Sequence, residues 1–237
     1  MKGYIEDKEF GKIHVELRRG MTSVRFGYKS DGHLLMRAPL GVSVAELKRL
    51  VEINRDGLRK LSKPTVPDLH VGQIIECFRC QAVIEDDNPM PNHVRTVWDD
   101  DNILHVKIHK DADMEDCGFK QFVSDQISIA MEYIAEIVLM PFAREVADGL
   151  GLSPAGFEVG RGMRKLGHCS SRRVIQLSRN LMFYPEQLVR YVICHELAHL
   201  TYMNHSTQFH ALCDQYCGGQ EKALEQQLRQ FRFPILK

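Results

Sequence analysis

The stretch that decides the fold is Tyr191-Val192-Ile193-Cys194-His195-Glu196-Leu197-Ala198-His199-Leu200. It follows Pro185, a residue favoured in the first turn of a helix, and no breaker interrupts it. Residues four apart share a helix face, so His195 and His199 can converge on one ion while Glu196 stands beside them at the rim. That arrangement suits zinc and one water, because zinc takes imidazole nitrogen readily and a catalytic site keeps three protein ligands and one open position. A third ligand is needed. His205 is the best placed, since residues 200–204 (LTYMN) end in Asn204, which tolerates the left-handed conformation that lets a chain leave a helix. Ser206 can then cap a following helix, TQFHALCDQYC, and fix His205 in the turn between the two. His210 lies a turn farther on, and the acids Asp214, Glu221 and Glu225 farther still.

Working outward, the spacing predicts an active helix over about Pro185–Met203, with two short strands, FEVGR and RRVIQLS, ahead of it. A long helix is expected from about Gly118 to Gly149-Leu150-Gly151, where glycine can take the cap position. Before it the chain is strand-rich. SVRFGYKSDGHLLMRAP carries a hairpin over about 23–38 around Asp31-Gly32. Ser43 and Glu46 form a capping box for a helix over about Val44–Leu61, which KPTVP breaks. DLHVGQIIECFRCQAVIEDD, HVRTVWDD and ILHVKIHK alternate β-branched and polar residues in a way that suits antiparallel strands. No repeat is visible. The reading is α+β, with a strand-rich portion over 1–117 and a helical, zinc-binding portion over 118–237.

Composition bounds the rest. Of 237 residues, 44% are hydrophobic and 26% charged, which disfavours disorder and predicts a buried core. Lys+Arg and Asp+Glu are 31 each, so no global charge drives the chain onto nucleic acid or membrane. The balance hides a polarity: 85–116 is acidic, whereas Arg161, Arg164, Lys165, Arg172, Arg173, Arg179 and Arg190 face a single acid, Glu186. The basic run is a candidate contact for carboxylates, nucleotide phosphates or DNA, although no DNA-reading helix stands out. The most apolar run, Ile134 to Ala143, is broken by Glu136 and Pro141, and the start MKGYIEDKEF has no apolar signal core, so membrane insertion and secretion are not expected. Seven cysteines without an export signal read as reduced thiols in the cytoplasm. Cys77 and Cys80 have CxxC spacing, but in a continuous strand they would point to opposite faces. Cys194, Cys213 and Cys217 read as core.

HELAHLTYMNHSTQF resembles the signature of the YgjP-like zinc metallopeptidases, relatives of the SprT-like and WLM proteases. RKLGHCSSRRVIQLSRNLMFYP is similar to that family's WGSCS segment with its strand and asparagine-leucine pair, with Leu166 in place of Trp and His168 in place of Ser. A weaker likeness covers nearly the whole chain, including SVRFGYKSDGHLLMRAP. The resemblance implies a zincin-like hydrolytic zinc site of His195, His199 and His205, with Glu196 catalytic. The metzincins share the histidine spacing but need glycine where this chain has Tyr202, which argues against them.

Three imidazoles leave zinc its charge and lower the pKa of bound water toward about 7. Glu196 is the expected base for that water and then the acid for the leaving group. Arg164, Lys165, His168 and Tyr202 are candidates for the donor that meets the substrate oxygen. The expected function is a zinc-dependent metallopeptidase acting on a peptide or protein. The rivals are a zinc hydrolase of nucleotide phosphoanhydrides, suggested by the basic run, and a non-catalytic zinc-stabilised binding module.

Overall fold

The computed structural model describes residues 2–29, 32–61, 68–161 and 165–231. It is mixed α+β, with small sheets in the N-terminal half and the middle and helices toward the C-terminus. The chain forms two compact units, one built on residues up to 68 with 113–122, the other on 69–112 with 123–234.

In the first unit, β1 (Lys2–Asp7), β2 (Gly11–Arg18), β3 (Arg25–Tyr28) and β4 (Leu34–Pro39) form a sheet of order β1-β2-β4-β3. The expected β3–β4 hairpin is present, with Gly32 left-handed at φ 77; its Asp31 lies outside the described residues. Alternate residues Ile13 and Val15, and Leu34, Met36 and Ala38, pack with Leu47, Val51 and Leu58 to make the core of this unit. The last three lie on helices α1 (Val44–Ile53) and α2 (Arg55–Arg59). Ser43 caps α1 by accepting from the Glu46 amide at 3.2 Å, but the single helix expected to Leu61 is split at Asn54. There the side-chain amide of Asn54 donates to the Leu50 carbonyl at 2.8 Å, competing with the helical ladder as short polar side chains do. The KPTVP breaker falls outside the described residues.

The second unit opens with β5 (Ile74–Cys77), β6 (Cys80–Glu85), β7 (Arg95–Trp98) and β8 (Ile103–Lys107), in order β5-β6-β8-β7. The two sheets share one topology without any visible sequence repeat. Each is two hairpins docked side by side through their second strands, so β2 runs parallel to β4 and β6 parallel to β8. This corrects the expectation of antiparallel strands throughout. The reason is burial: Ala82, Ile84, Leu104 and Val106 on β6 and β8 are almost wholly buried and take the middle of the sheet, while β7 takes the edge.

Helix α3 (Cys117–Gly149) matches the expected long helix closely. By length and composition it could cross a membrane, but half of its most apolar window is buried within the protein, in the manner of a core helix. Val123, Ile127, Met131, Ile134 and Ala135 recur at helical spacing on its buried side. A third sheet then forms from β9 (Gly156–Gly160), β10 (Gly167–Cys169) and β11 (Val174–Ser178), in order β10-β11-β9 with β9 and β11 parallel. Strand β10 is absent from the sequence reading because three residues are too few to show alternation. A 3-10 turn, Arg179–Phe183, leads to α4 (Glu186–Ala198), α5 (Thr207–Tyr216) and α6 (Glu221–Gln230).

Candidate metal centre

Helix α4 starts after Pro185 and buries Leu188, Val189, Val192, Ile193 and Leu197. It ends earlier than the sequence suggests, with His199 as its cap rather than continuing to Met203. The chain leaves through turns in which the Thr201 and Tyr202 amides donate to the Ala198 carbonyl at 3.1 and 3.0 Å. Asn204 is not among the left-handed residues, so the turn is not made there. Ser206 caps α5 as expected, accepting from the Phe209 amide at 3.3 Å.

The result is a cluster of three imidazoles. Ligand atoms of His195, His199 and His205 all lie within 4.8 Å of one another, and Nε2 of His195 is 3.1 Å from Nε2 of His205. Tetrahedral bonds of about 2.0–2.1 Å put ligand nitrogens roughly 3.3 Å apart, so the His195–His205 pair already stands near that spacing and the triad could hold a metal. His199 Nδ1 donates to the Tyr202 carbonyl at 2.9 Å, which fixes the tautomer and leaves Nε2 with its lone pair. Burial pushes the His195 pKa down to about 4 and lowers that of His199, so both are neutral at pH 7 and able to act as ligands. Phe209, fully buried on α5, is the floor: its ring lies 4.9, 4.5 and 4.8 Å from those of His195, His199 and His205. Its role was missed in the sequence, where the only signal is an apolar residue one helical turn after His205.

Glu196 is buried beside the cluster, 6% exposed. Burial pushes its carboxyl pKa up to about 7, against a hydrogen bond from the Cys169 amide and the charge of Lys165. Strand β10 lies against it so closely that a Cβ on Gly167 would sit 2.5 Å from the Glu196 side chain. Only glycine leaves that carboxylate its place.

The family model of the YgjP-like metallopeptidase domain matches residues 22–231. The chain belongs to the YgjP-like metallopeptidase family. Membership implies a metal, and the His195, His199 and His205 triad of this YgjP-like chain could hold it. Comparison with curated proteins and with solved structures found no match.

The remaining candidates are dispersed. His168 projects from β10 into an open cavity of about 350 Å³ that Glu158, Ser170, Ser171, Arg172 and Gln176 also line. Tyr202 serves His199 through its carbonyl. Lys165 is exposed, and Arg164 lies outside the described residues. His210 is not part of the triad and pairs instead with the buried Glu221 at 2.7 Å. Within the basic run, Arg161 and Arg179 both bind Glu132, Arg190 stacks on Phe142, and Arg173 donates to the Leu200 carbonyl. Cys77 and Cys80 are not on opposite faces of one strand: Phe78-Arg79 is a hairpin turn, and the two cysteines face each other across it. The Cys77 thiol donates to the Ile75 carbonyl at 3.5 Å, and the neighbouring Cys80 thiol together with burial raises the Cys77 pKa.

Proposed function

We propose that this protein is a zinc-dependent peptidase in which His195, His199 and His205 hold the metal and Glu196 is the general base. The observation that carries the reading is the buried Glu196 carboxylate, held by the Cys169 amide one residue from a metal-ligating imidazole. Three imidazoles with no carboxylate ligand suit zinc. When bound, such a metal supplies Lewis-acid polarisation of a carbonyl and lowers the pKa of a coordinated water to about 7. Glu196 takes the proton of the attacking water on its carboxylate and returns it to the leaving amine. The Cys169 amide orients that carboxylate, and the absence of a side chain at Gly167 keeps room for it. The Tyr202 carbonyl holds His199 in its ligating tautomer. Of the candidates to meet a substrate oxygen, His168, Lys165 and Tyr202 lie among the described residues and have exposed side chains.

The test is elemental analysis of the purified protein together with hydrolysis of casein before and after chelation. About one zinc per chain and a loss of cleavage restored by zinc are expected; cleavage that survives metal removal would sink the reading.

A further inference from the structure

Among the described residues, the non-glycine positions with left-handed backbone are Arg79 (φ 55), Asn92 (φ 59), Asn102 (φ 62) and Arg173 (φ 62). Asparagine is an ordinary occupant of that region, but arginine is not, because its Cβ crowds the neighbouring carbonyl. Both arginines stand in hairpin turns, where glycine is the usual choice. Arg79 is the second residue of the loop between β5 and β6. Arg173 closes the turn between β10 and β11, its amide donating to the Ser170 carbonyl at 2.9 Å while the Ser170 amide donates to the Val174 carbonyl at 2.9 Å.

The two side chains have one target in common. Arg79 donates through Nε and Nη2 to Glu186, the first residue of α4, at 2.9 and 3.2 Å, and its guanidinium lies 4.4 Å over the Phe142 ring. Arg173 donates through Nη1 at 3.2 Å to the carbonyl of Leu200, just past the other end of α4, where a helix leaves carbonyls without internal partners. Backbone bonds tie both turns into the unit: the Phe78 amide to the Met182 carbonyl at 2.6 Å, and the Ala155 amide to the Arg173 carbonyl at 2.8 Å.

We propose that Arg79 and Arg173 are positioning residues of the metal centre, a pair of grips on the two ends of α4 that keep His195 and His199 in register with His205. Each turn retains an arginine where glycine would relax the backbone, and the side chain is what glycine could not supply. The two grips act unequally. Leu200 opens the segment 200–206 that swings His205 back to the other ligands, so Arg173 acts directly on the His199–His205 spacing. Glu186 lies roughly 14 Å along the helix from His195, at about 1.5 Å per residue, so Arg79 acts only through the helix as a body. The inference rests on the metal reading above.

The experiment compares Arg173→Gly, Arg79→Gly, the double variant and Arg173→Lys in the full chain. Zinc affinity is read by competition with a chelator, and ligand geometry by the visible spectrum of the Co2+ form. Melting of the metal-free protein controls for folding. Glycine takes this backbone freely, so the variants should melt no lower than wild type. Arg173→Gly should weaken zinc about 10- to 100-fold, the usual cost of losing a partner that orients the ligands, and should alter the cobalt spectrum. Arg79→Gly should weaken it less, and Arg173→Lys, which keeps a donor, should recover much of the loss. If a glycine variant melts lower, the matching Arg→Asn variant, which also accepts the left-handed backbone, replaces it. Wild-type affinity and spectrum in the double variant would overturn the proposal, as would affinity that falls only in step with melting temperature. A wild-type protein that binds neither zinc nor cobalt would overturn the metal centre itself, a failure distinct from that of the grips alone.

Discussion

Within the second unit, the imidazoles at the end of α4 and the imidazole of His105 on β8 occupy opposite surroundings. His105 lies between Glu85 at 2.9 Å and Asp99 at 3.0 Å, and the two carboxylates raise its pKa. His195, His199 and His205 face one another, with Phe209 beneath them and no carboxylate hydrogen-bonded to any of them among the described residues. One histidine lies between two carboxylates, which favour its protonated form. The other three have no carboxylate hydrogen-bonded to them among the described residues, and they could hold a cation. Identical side chains thus suit a proton or a metal according to what the backbone brings near them.

The largest effects should come from breaking the second arrangement. His199→Ala or His205→Ala should reduce bound zinc from about one per chain to near none in elemental analysis, a greater loss than the roughly 10- to 100-fold expected for an outer partner. His105→Ala and His210→Ala should leave zinc unchanged. If His210→Ala empties the site and His205→Ala does not, the third ligand is misassigned.

Next in size is Glu196→Gln, which keeps the volume and removes the basic oxygen. Casein hydrolysis should fall by about 10²- to 10⁴-fold, while zinc content and melting stay at wild-type values. Retained turnover would remove Glu196 from the chemistry. A smaller change is expected of Gly167→Ala, whose added methyl must displace the Glu196 side chain. Overpacking of this kind costs about 1–3 kcal/mol, measurable by denaturant unfolding, and turnover should drop with it. An unperturbed, fully active variant would mean that β10 yields easily.

The subtlest difference is in pH dependence, and its sign distinguishes the two environments. His105 has a raised folded pKa, so its stabilisation is complete below the ordinary histidine value of about 6.5 and is lost as pH rises through the folded value. His195, lowered to about 4, works the other way: in metal-free protein its contribution is present above about 6.5 and is lost as pH falls toward about 4. Denaturant unfolding of metal-free wild type, His105→Gln and His195→Gln from pH 4 to 8 should show the first variant flattened on the alkaline side and the second on the acid side. Matching profiles for the two variants would refute the contrast.

The histidine triad was legible because a helix converts a spacing of four into a shared face, and because Ser206 announced the next helix. The end of α4 was less so: it depends on the fold of the turn, where the Tyr202 carbonyl meets His199, and no residue type signals that. The hairpins around Gly32 and the strands of the middle region could be read from alternation, but the docking of hairpins through parallel second strands could not, since it is decided by burial at long range. Cys77 and Cys80 were misplaced because Phe78-Arg79 lacks the Asn-Gly or Asp-Gly that advertises a two-residue turn. Gly167 and the Cys169 amide entered the site on a strand too short to leave a pattern.

That docking of hairpins has a consequence for how the chain is made. In each sheet the strand that completes the centre, β4 or β8, is the last of its four to emerge during synthesis. Until it arrives, the inner edge of β2 or β6 stands open, with apolar residues such as Ile13, Val15, Ala82 and Ile84 uncovered. A parallel pair cannot close through a tight turn, so each sheet must wait for a distant segment, the circumstance in which nascent edges pair with the wrong neighbour. Assembly is therefore gated twice, at β4 and again at β8, before the residues of α4 have been added to the chain at all.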